Sequence, residues 1–136
     1  MTAYTHIAEQ TQNCKAPWEV SLELKPTWSG YLIVDGDSIP IAGHREPLLL
    51  GVDAHTQDIP HAFLAEHEDG QNWTHFLLMM RAPIHYPFKG LISDGDPAIQ
   101  EAIMAICPHV PHQLCVRHFE KQLDRYLRYE LCVSPR

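Results

Sequence analysis

A chain of 136 residues, 45% of them hydrophobic, is sized for one packed domain and is too apolar for a disordered one. It has no apolar run near the length of a bilayer span, and its formal net charge of −7 argues against a free-standing nucleic-acid binder. The charge is uneven: residues 1–110 carry 14 acids and 5 bases (−9), and residues 111–136 carry 3 acids and 5 bases (+2), so attraction to phosphate concentrates towards the C-terminal end.

Residues 1–29 are weakly patterned and read as a lead-in segment, with a short strand expected around Val20–Leu24. Residues 30–136 read as the structured core. Met1–Gln12 is polar and lacks a signal peptide's basic start and apolar stretch. A cytosolic location is therefore expected, or a nucleoid-associated one in a bacterium, with Cys14, Cys107, Cys115 and Cys132 as thiols. A strand follows at 31–35. Pro40, Gly43 and Pro47 forbid a long helix after it. Leu48–Asp53 and His61–Glu66 read as two more strands.

The period then changes. Trp73, Phe76, Leu77 and Met80 fall at i, i+3, i+4 and i+7, one face of a helix that Asp69 or Gly70 would cap and that Pro83 and Pro87 end. Residues 88–93 form a fourth strand. Asp96 is placed as the N-cap of a helix opened by Pro97, with Ile99, Ala102, Ile103 and Ile106 on its apolar face. Residues 112–115 suggest a short fifth strand. A last helix would bury Val116, Phe119, Leu123, Tyr126 and Leu127.

Three strands with short links, followed by helix-linked strands, predict an α/β fold of ribonuclease-H-like type: a mixed five-stranded sheet, antiparallel then parallel, flanked by helices. In that arrangement the first and fourth strands are adjacent and parallel. Both end in an aspartate followed by glycine, Asp35-Gly36 and Asp94-Gly95. Two carboxylates at neighbouring strand tips suit a hard divalent cation. Such a cation can serve in-line phosphodiester chemistry. Asp-Gly pairs are also ordinary turn residues. Two of them on strands expected to be neighbours favour the site. Asp37 reads as a turn residue, and Asp53, at the far end of an antiparallel strand, as structural.

The segments WSGYLIVDGDSI, LLLGVDAHTQDIPHAFLAEHEDGQNWTHFL, KGLISDGDPAIQEAI and CPHVPHQLCVRHFEKQL resemble the catalytic core of DDE transposases, closest to the Mutator-like transposases and their bacterial insertion-sequence relatives. The resemblance runs from about Trp28 to Leu123. Its most specific part is Ser93-Asp94-Gly95 followed, after a helix, by the C-x-x-H of Cys115 and His118. It implies Asp35 and Asp94 as the first and second metal-binding acids, Mg²⁺ or Mn²⁺ as cofactor, DNA transposition as the process, and transposon-end DNA and a homo-oligomer as partners. The family's third acid, a glutamate on a later helix, is not matched before Arg136, so the chain reads as a partial core, inactive alone. Glu120 and Glu130 are weaker substitutes.

Other readings stay open. Arg117, Lys121, Arg125 and Arg128 make a basic stripe that suits either a phosphate backbone or solvent. Cys107, His109, His112, Cys115 and His118 offer zinc-type donors without a standard spacing. Leu32–Ile39 also mimics a haloacid-dehalogenase phosphatase, with Asp35 as nucleophile and Asp37 as general acid. That reading requires a helix within residues 38–60. A non-catalytic remnant of the fold is the third alternative.

Overall fold

The computed structural model describes residues 13–133, with side chains to Arg128. Glu130, one of the two weaker third-acid candidates, therefore lies outside the described side chains. The elements, in chain order, are α1 (Pro17–Leu24), β1 (Tyr31–Ile41), β2 (His44–Asp53), β3 (His61–Leu64), α2 (Gly70–Arg81), β4 (Gly90–Ser93), α3 (Pro97–Ile106), β5 (His112–Leu114) and α4 (Val116–Val133).

One five-stranded sheet runs in the order β3-β2-β1-β4-β5. The β1–β2 and β2–β3 pairs are antiparallel, and β1–β4 and β4–β5 are parallel. This is the mixed ribonuclease-H-like sheet that the order of elements predicts. No helix interrupts residues 38–53, which form a hairpin, so the topology needed by the phosphatase reading is absent there.

The sheet is covered on one face by α2 and α3. Trp73, Phe76, Leu77 and Met80 are fully buried, and they meet Ile99, Ala102 and Ile103 of α3 over Leu32, Val34, Leu49 and Leu91 of the sheet. Gly51 belongs to this packing, because a Cβ there would come within 2.9 Å of the Phe76 ring. Both helices are capped as their sequences predict: Asp69 accepts from the Asn72 N–H and Asp96 from the Ala98 N–H.

The hairpin is longer than expected. β1 continues to Ile41 and β2 begins at His44. Pro40 is tolerated because β4 pairs β1 no further than Ile33, and Pro47 because it stands at the margin of the β2–β3 pairing, which begins at Leu48, where its carbonyl still accepts the Ala65 N–H at 2.9 Å. The two strands are joined by Ala42-Gly43, both with positive φ (48° and 82°). Two such residues make a type I′ turn, for which Asn-Gly is the favoured pair. A left-handed alanine is strained, so Ala42→Asn is expected to raise stability by about 1 kcal/mol, read from the urea midpoint.

Two further differences have physical causes. Residues 17–24 are helix α1, and the strand expected at Val20–Leu24 does not form. Pro17 supplies the fixed first-turn φ, and the Glu19 carboxylate accepts the Ala16 N–H at 2.7 Å. Ser21 anchors the helix by donating to the Pro60 carbonyl. The apolar face expected to be buried on α4 is exposed instead: Val116, Phe119, Leu123, Tyr126 and Leu127 are each 45–61% accessible. A 3.6-residue period says that a face wants cover, and the described residues do not supply it.

His61 lies inside the β3–α2 interface, 3% exposed, stacked on Phe63 and Phe76, with neither ring nitrogen hydrogen-bonded. Burial, helped by the nearby His75, pushes its pKa down to about 4. The unfolded chain therefore takes up a proton that the folded chain refuses. Stability is full above the ordinary histidine value and is lost as pH falls from about 6.5 towards 4, by about 3 kcal/mol. Urea midpoints measured down this range should fall in the unaltered protein and fall much less in His61→Phe.

Candidate metal centre

The register fixes the site. Ile33 of β1 lies opposite Ile92 of β4, and the parallel pairing ends there. Two residues later come Asp35, inside β1 rather than at its end because the strand continues to Ile41, and Asp94, just past the end of β4. Strand alternation sends Leu32, Val34, Leu91 and Ser93 into the core and puts Asp35 and Asp94 on the other side, both half-buried. Asp94 is steadied by accepting the Asp96 N–H at 3.1 Å.

His118 arrives from the far side of β5. The Cys115 N–H donates to the Ser93 carbonyl at 2.6 Å, which ties the start of α4 to the residue before Asp94. Cys115 immediately precedes α4, and its carbonyl accepts the Phe119 N–H. Three residues on, His118 projects from the first turn, with Nε2 3.9 Å from Asp35 Oδ1. One donor atom each from Asp35, Asp94 and His118 lie within 4.8 Å of one another, the single such group of three among the described residues. Two carboxylates and an imidazole, open to solvent on one side, fit a divalent cation with water completing its shell.

The electrostatics are those of an uncompensated site. Burial raises the Asp35 pKa, and Asp94 and Asp37 add to the rise, while His118 and the Gly36 N–H oppose it. The Cys115 side chain raises the His118 pKa, and Asp35 and Asp94 add to that against the pull of burial. The backbone N–H of His118 lowers the Cys115 thiol, with further help from the His118 ring and the Arg117 N–H against burial. The C-x-x-H spacing thus puts a cap residue and a site-facing imidazole one turn apart.

The remaining candidates fall elsewhere. Asp37 is not the turn residue expected: it lies inside β1, paired with Leu48, because the hairpin runs on to Ile41, and its exposed carboxylate accepts the Ser38 N–H. Asp96 caps α3. Cys107 is buried in the core and His112 Nε2 bonds Ser93 Oγ at 2.7 Å, so the zinc-type donors do not converge. Arg117, Lys121, Arg125 and Arg128 are all exposed along α4, and Arg128 pairs with Asp124 at 3.0 Å. Glu120 is exposed and stands outside the three-residue group. Asp53 is at the opposite end of the sheet, paired with Leu32, where it is completely buried.

Sequence reasoning missed Glu68. It precedes the α2 cap, and its carboxyl group packs against Gly36. Burial raises its pKa first. Asp96, Asp94 and Asp35 raise it further, and the Trp73 indole opposes them. The available signal was an acid two residues before the helix and five before the tryptophan already noted.

A family model described as the MULE transposase domain matches residues 45–122. The chain belongs to this family. Among solved structures, the HTLV-2 integrase catalytic core domain in complex with magnesium is similar in its dimeric form, at TM-score 0.53 and 16% identity over 79% of this chain and 76% of that one. The trimeric form gives 0.54 and 16% over 79% and 77%. A simian T-cell lymphotropic virus intasome in complex with the PP2A regulatory subunit B56 gamma gives 0.53 and 16% over 80% of this chain, which spans 44% of that protein's length. At this identity the likeness is one of fold. No curated protein matches significantly. This MULE domain is a transposase catalytic-core fragment on a ribonuclease-H-like sheet, and nothing supports the phosphatase reading. No helix among its described residues is long and apolar enough to cross a membrane.

Proposed function

We propose that this MULE domain binds Mg²⁺ or Mn²⁺ through Asp35 and Asp94 and serves phosphodiester hydrolysis and strand transfer at transposon-end DNA. The observation carrying this reading is the convergence of Asp35, just past the end of the β1–β4 pairing, Asp94, just past β4, and His118, with donor atoms within 4.8 Å. When bound, the cation supplies Lewis-acid stabilisation of the attacking and leaving oxygens. Asp35 and Asp94 bring opposing charge to hold it, one from within β1 and one from just past β4. His118 contributes a third donor whose position is set by Cys115 and the start of α4. The exposed arginines and lysine of α4 lie on the same helix as His118 and suit contact with a DNA backbone.

Alone, the chain is proposed to bind the ion without efficient turnover, because the family's later glutamate is not matched in it. A homo-oligomer is proposed too, supported by integrase catalytic cores of this fold that are described as dimeric and trimeric. Iron-directed cleavage tests the reading. Fe²⁺ with ascorbate and peroxide should cut the backbone near residues 35, 94 and 118, and Mg²⁺ should suppress the cuts. Cuts elsewhere, or none, would contradict it.

A further inference from the structure

Asp35 and Asp94 are held in different ways. Asp35 is inside the hairpin, opposite Leu50 of β2. Asp94 lies where the pairing of β4 with β1 has already ended at Ile92 and that with β5 at Ser93. No ladder fixes its backbone, yet a metal ligand has to be placed to within about 0.5 Å. The residue before it, Ser93, is completely buried. Its carbonyl accepts the Cys115 N–H at 2.6 Å. Its hydroxyl donates to the Asp94 carbonyl at 2.9 Å and lies 2.7 Å from His112 Nε2.

A serine hydroxyl has one proton to give. The Asp94 carbonyl can only accept, so both contacts are hydrogen bonds only when His112 carries its proton on Nε2. His112 stands opposite Leu91 in the β4–β5 pair, on the face that Leu91 shares with Ser93, so its ring reaches Ser93 from the neighbouring strand. Donation therefore runs from His112 to Ser93 and from Ser93 to the Asp94 carbonyl. On the other side, Asp94 Oδ1 accepts the Asp96 N–H at 3.1 Å. Ser93 does not need His112 to satisfy its proton. What the ring adds is direction, because it stops the hydroxyl rotating away from Asp94. We propose that His112 is a positioning residue for the divalent-cation site: acting through Ser93, it fixes the backbone turn that aims the Asp94 carboxylate at the ion shared with Asp35. The proposal rests on the two-aspartate reading above.

The test uses the whole chain. Mn²⁺ affinity is measured by the loss of the free-ion electron paramagnetic resonance signal, and thermal melts of the metal-free proteins report folding. His112→Phe keeps a ring and removes the donor. It should weaken Mn²⁺ binding about tenfold. His112→Gln, which carries an amide N–H towards Ser93, should recover most of that loss. Ser93→Ala should cost as much as His112→Phe, and the double variant no more than either, because both break one chain of bonds. Ile103→Val, a core change on α3, should lower the melting temperature and leave the affinity unchanged. Long-range proton–nitrogen correlation on the unaltered metal-free protein should find the His112 proton on Nε2. A ring protonated on Nδ1 alone, full affinity in folded His112→Phe, or a loss that His112→Gln does not recover would overturn the role of His112 alone. Absence of Mn²⁺ binding by the unaltered chain would overturn the two-aspartate reading and this proposal with it.

Discussion

Asp35→Asn and Asp94→Asn are each expected to weaken Mn²⁺ binding by at least about a hundredfold, the upper end of what even supporting groups around a metal cost. Each removes one of two charges that the ion is held by, from backbone fixed by the paired β1 and β4. The same substitutions should leave the metal-free fold as stable or slightly more so. Asp35 is half-buried near a like charge, and its pKa is raised above the ordinary carboxylate value, first by burial and then by Asp94. Because the folded state binds that proton more tightly than the unfolded one, the ionised carboxylate opposes folding, and neutralising it relieves the fold. Calorimetric titration with Mn²⁺ and thermal melts of the metal-free proteins check the two halves. Lost binding with a retained melting temperature is the signature of a site that costs stability to maintain.

Asp53→Ala should behave in the opposite way, destabilising the fold by about 3–5 kcal/mol without touching the metal centre directly. Asp53 is completely buried at the other end of the sheet. Its two oxygens accept the Ser29 N–H and hydroxyl, the Tyr86 hydroxyl and the His55 and Thr56 N–H groups at 2.7–3.1 Å. Removing it strands five donors, of which the Tyr86 hydroxyl is buried and the others are partly so. Burial alone would raise its pKa, but the bonds from Thr56, Tyr86, Ser29 and His55 outweigh it and hold the carboxyl well below the ordinary range. A lowered carboxylate contributes stability that is complete above the unfolded value and is lost only as pH falls through the folded one. Asp53 therefore keeps its contribution through mild acid, where the His61 penalty already operates. Denaturant melts of Asp53→Ala and Asp53→Asn against the unaltered protein measure the loss. A change under about 1 kcal/mol would show that water replaces the carboxylate and that the network is not structural.

The contrast between these aspartates was partly legible in the sequence. Both end apolar strands, but an antiparallel β2 puts Asp53 at the other end of the sheet from Asp35, and strand direction followed from the short links. The α2 and α3 faces were legible too, since Trp73-Phe76-Leu77-Met80 and Ile99-Ala102-Ile103 repeat with helical period. Helix α1 was not. Its helicity depends on a proline at its first position and on Glu19 reaching back to Ala16, and its eight residues show little apolar pattern. The length of the hairpin was hidden because Pro40 and Pro47 look like strand breakers until it is known that β4 does not reach Pro40 and that Pro47 stands at the margin of the β2–β3 pairing. The apolar side of α4 was legible as a face, and its exposure was not, because a pattern does not say which segment covers it. Glu68 was invisible for a related reason. Its place depends on the missing side chain of Gly36, 32 positions earlier, and on the Trp73 indole of the following helix.

The most direct measurement is anomalous diffraction from crystals of the chain soaked in Mn²⁺. A single strong peak is expected between the Asp35 and Asp94 carboxylates, within coordination distance of both, with His118 beside it. A peak bound elsewhere, or none at a concentration that saturates binding in solution, would contradict the claim that Asp35 of β1 and Asp94 just past β4 form the metal centre.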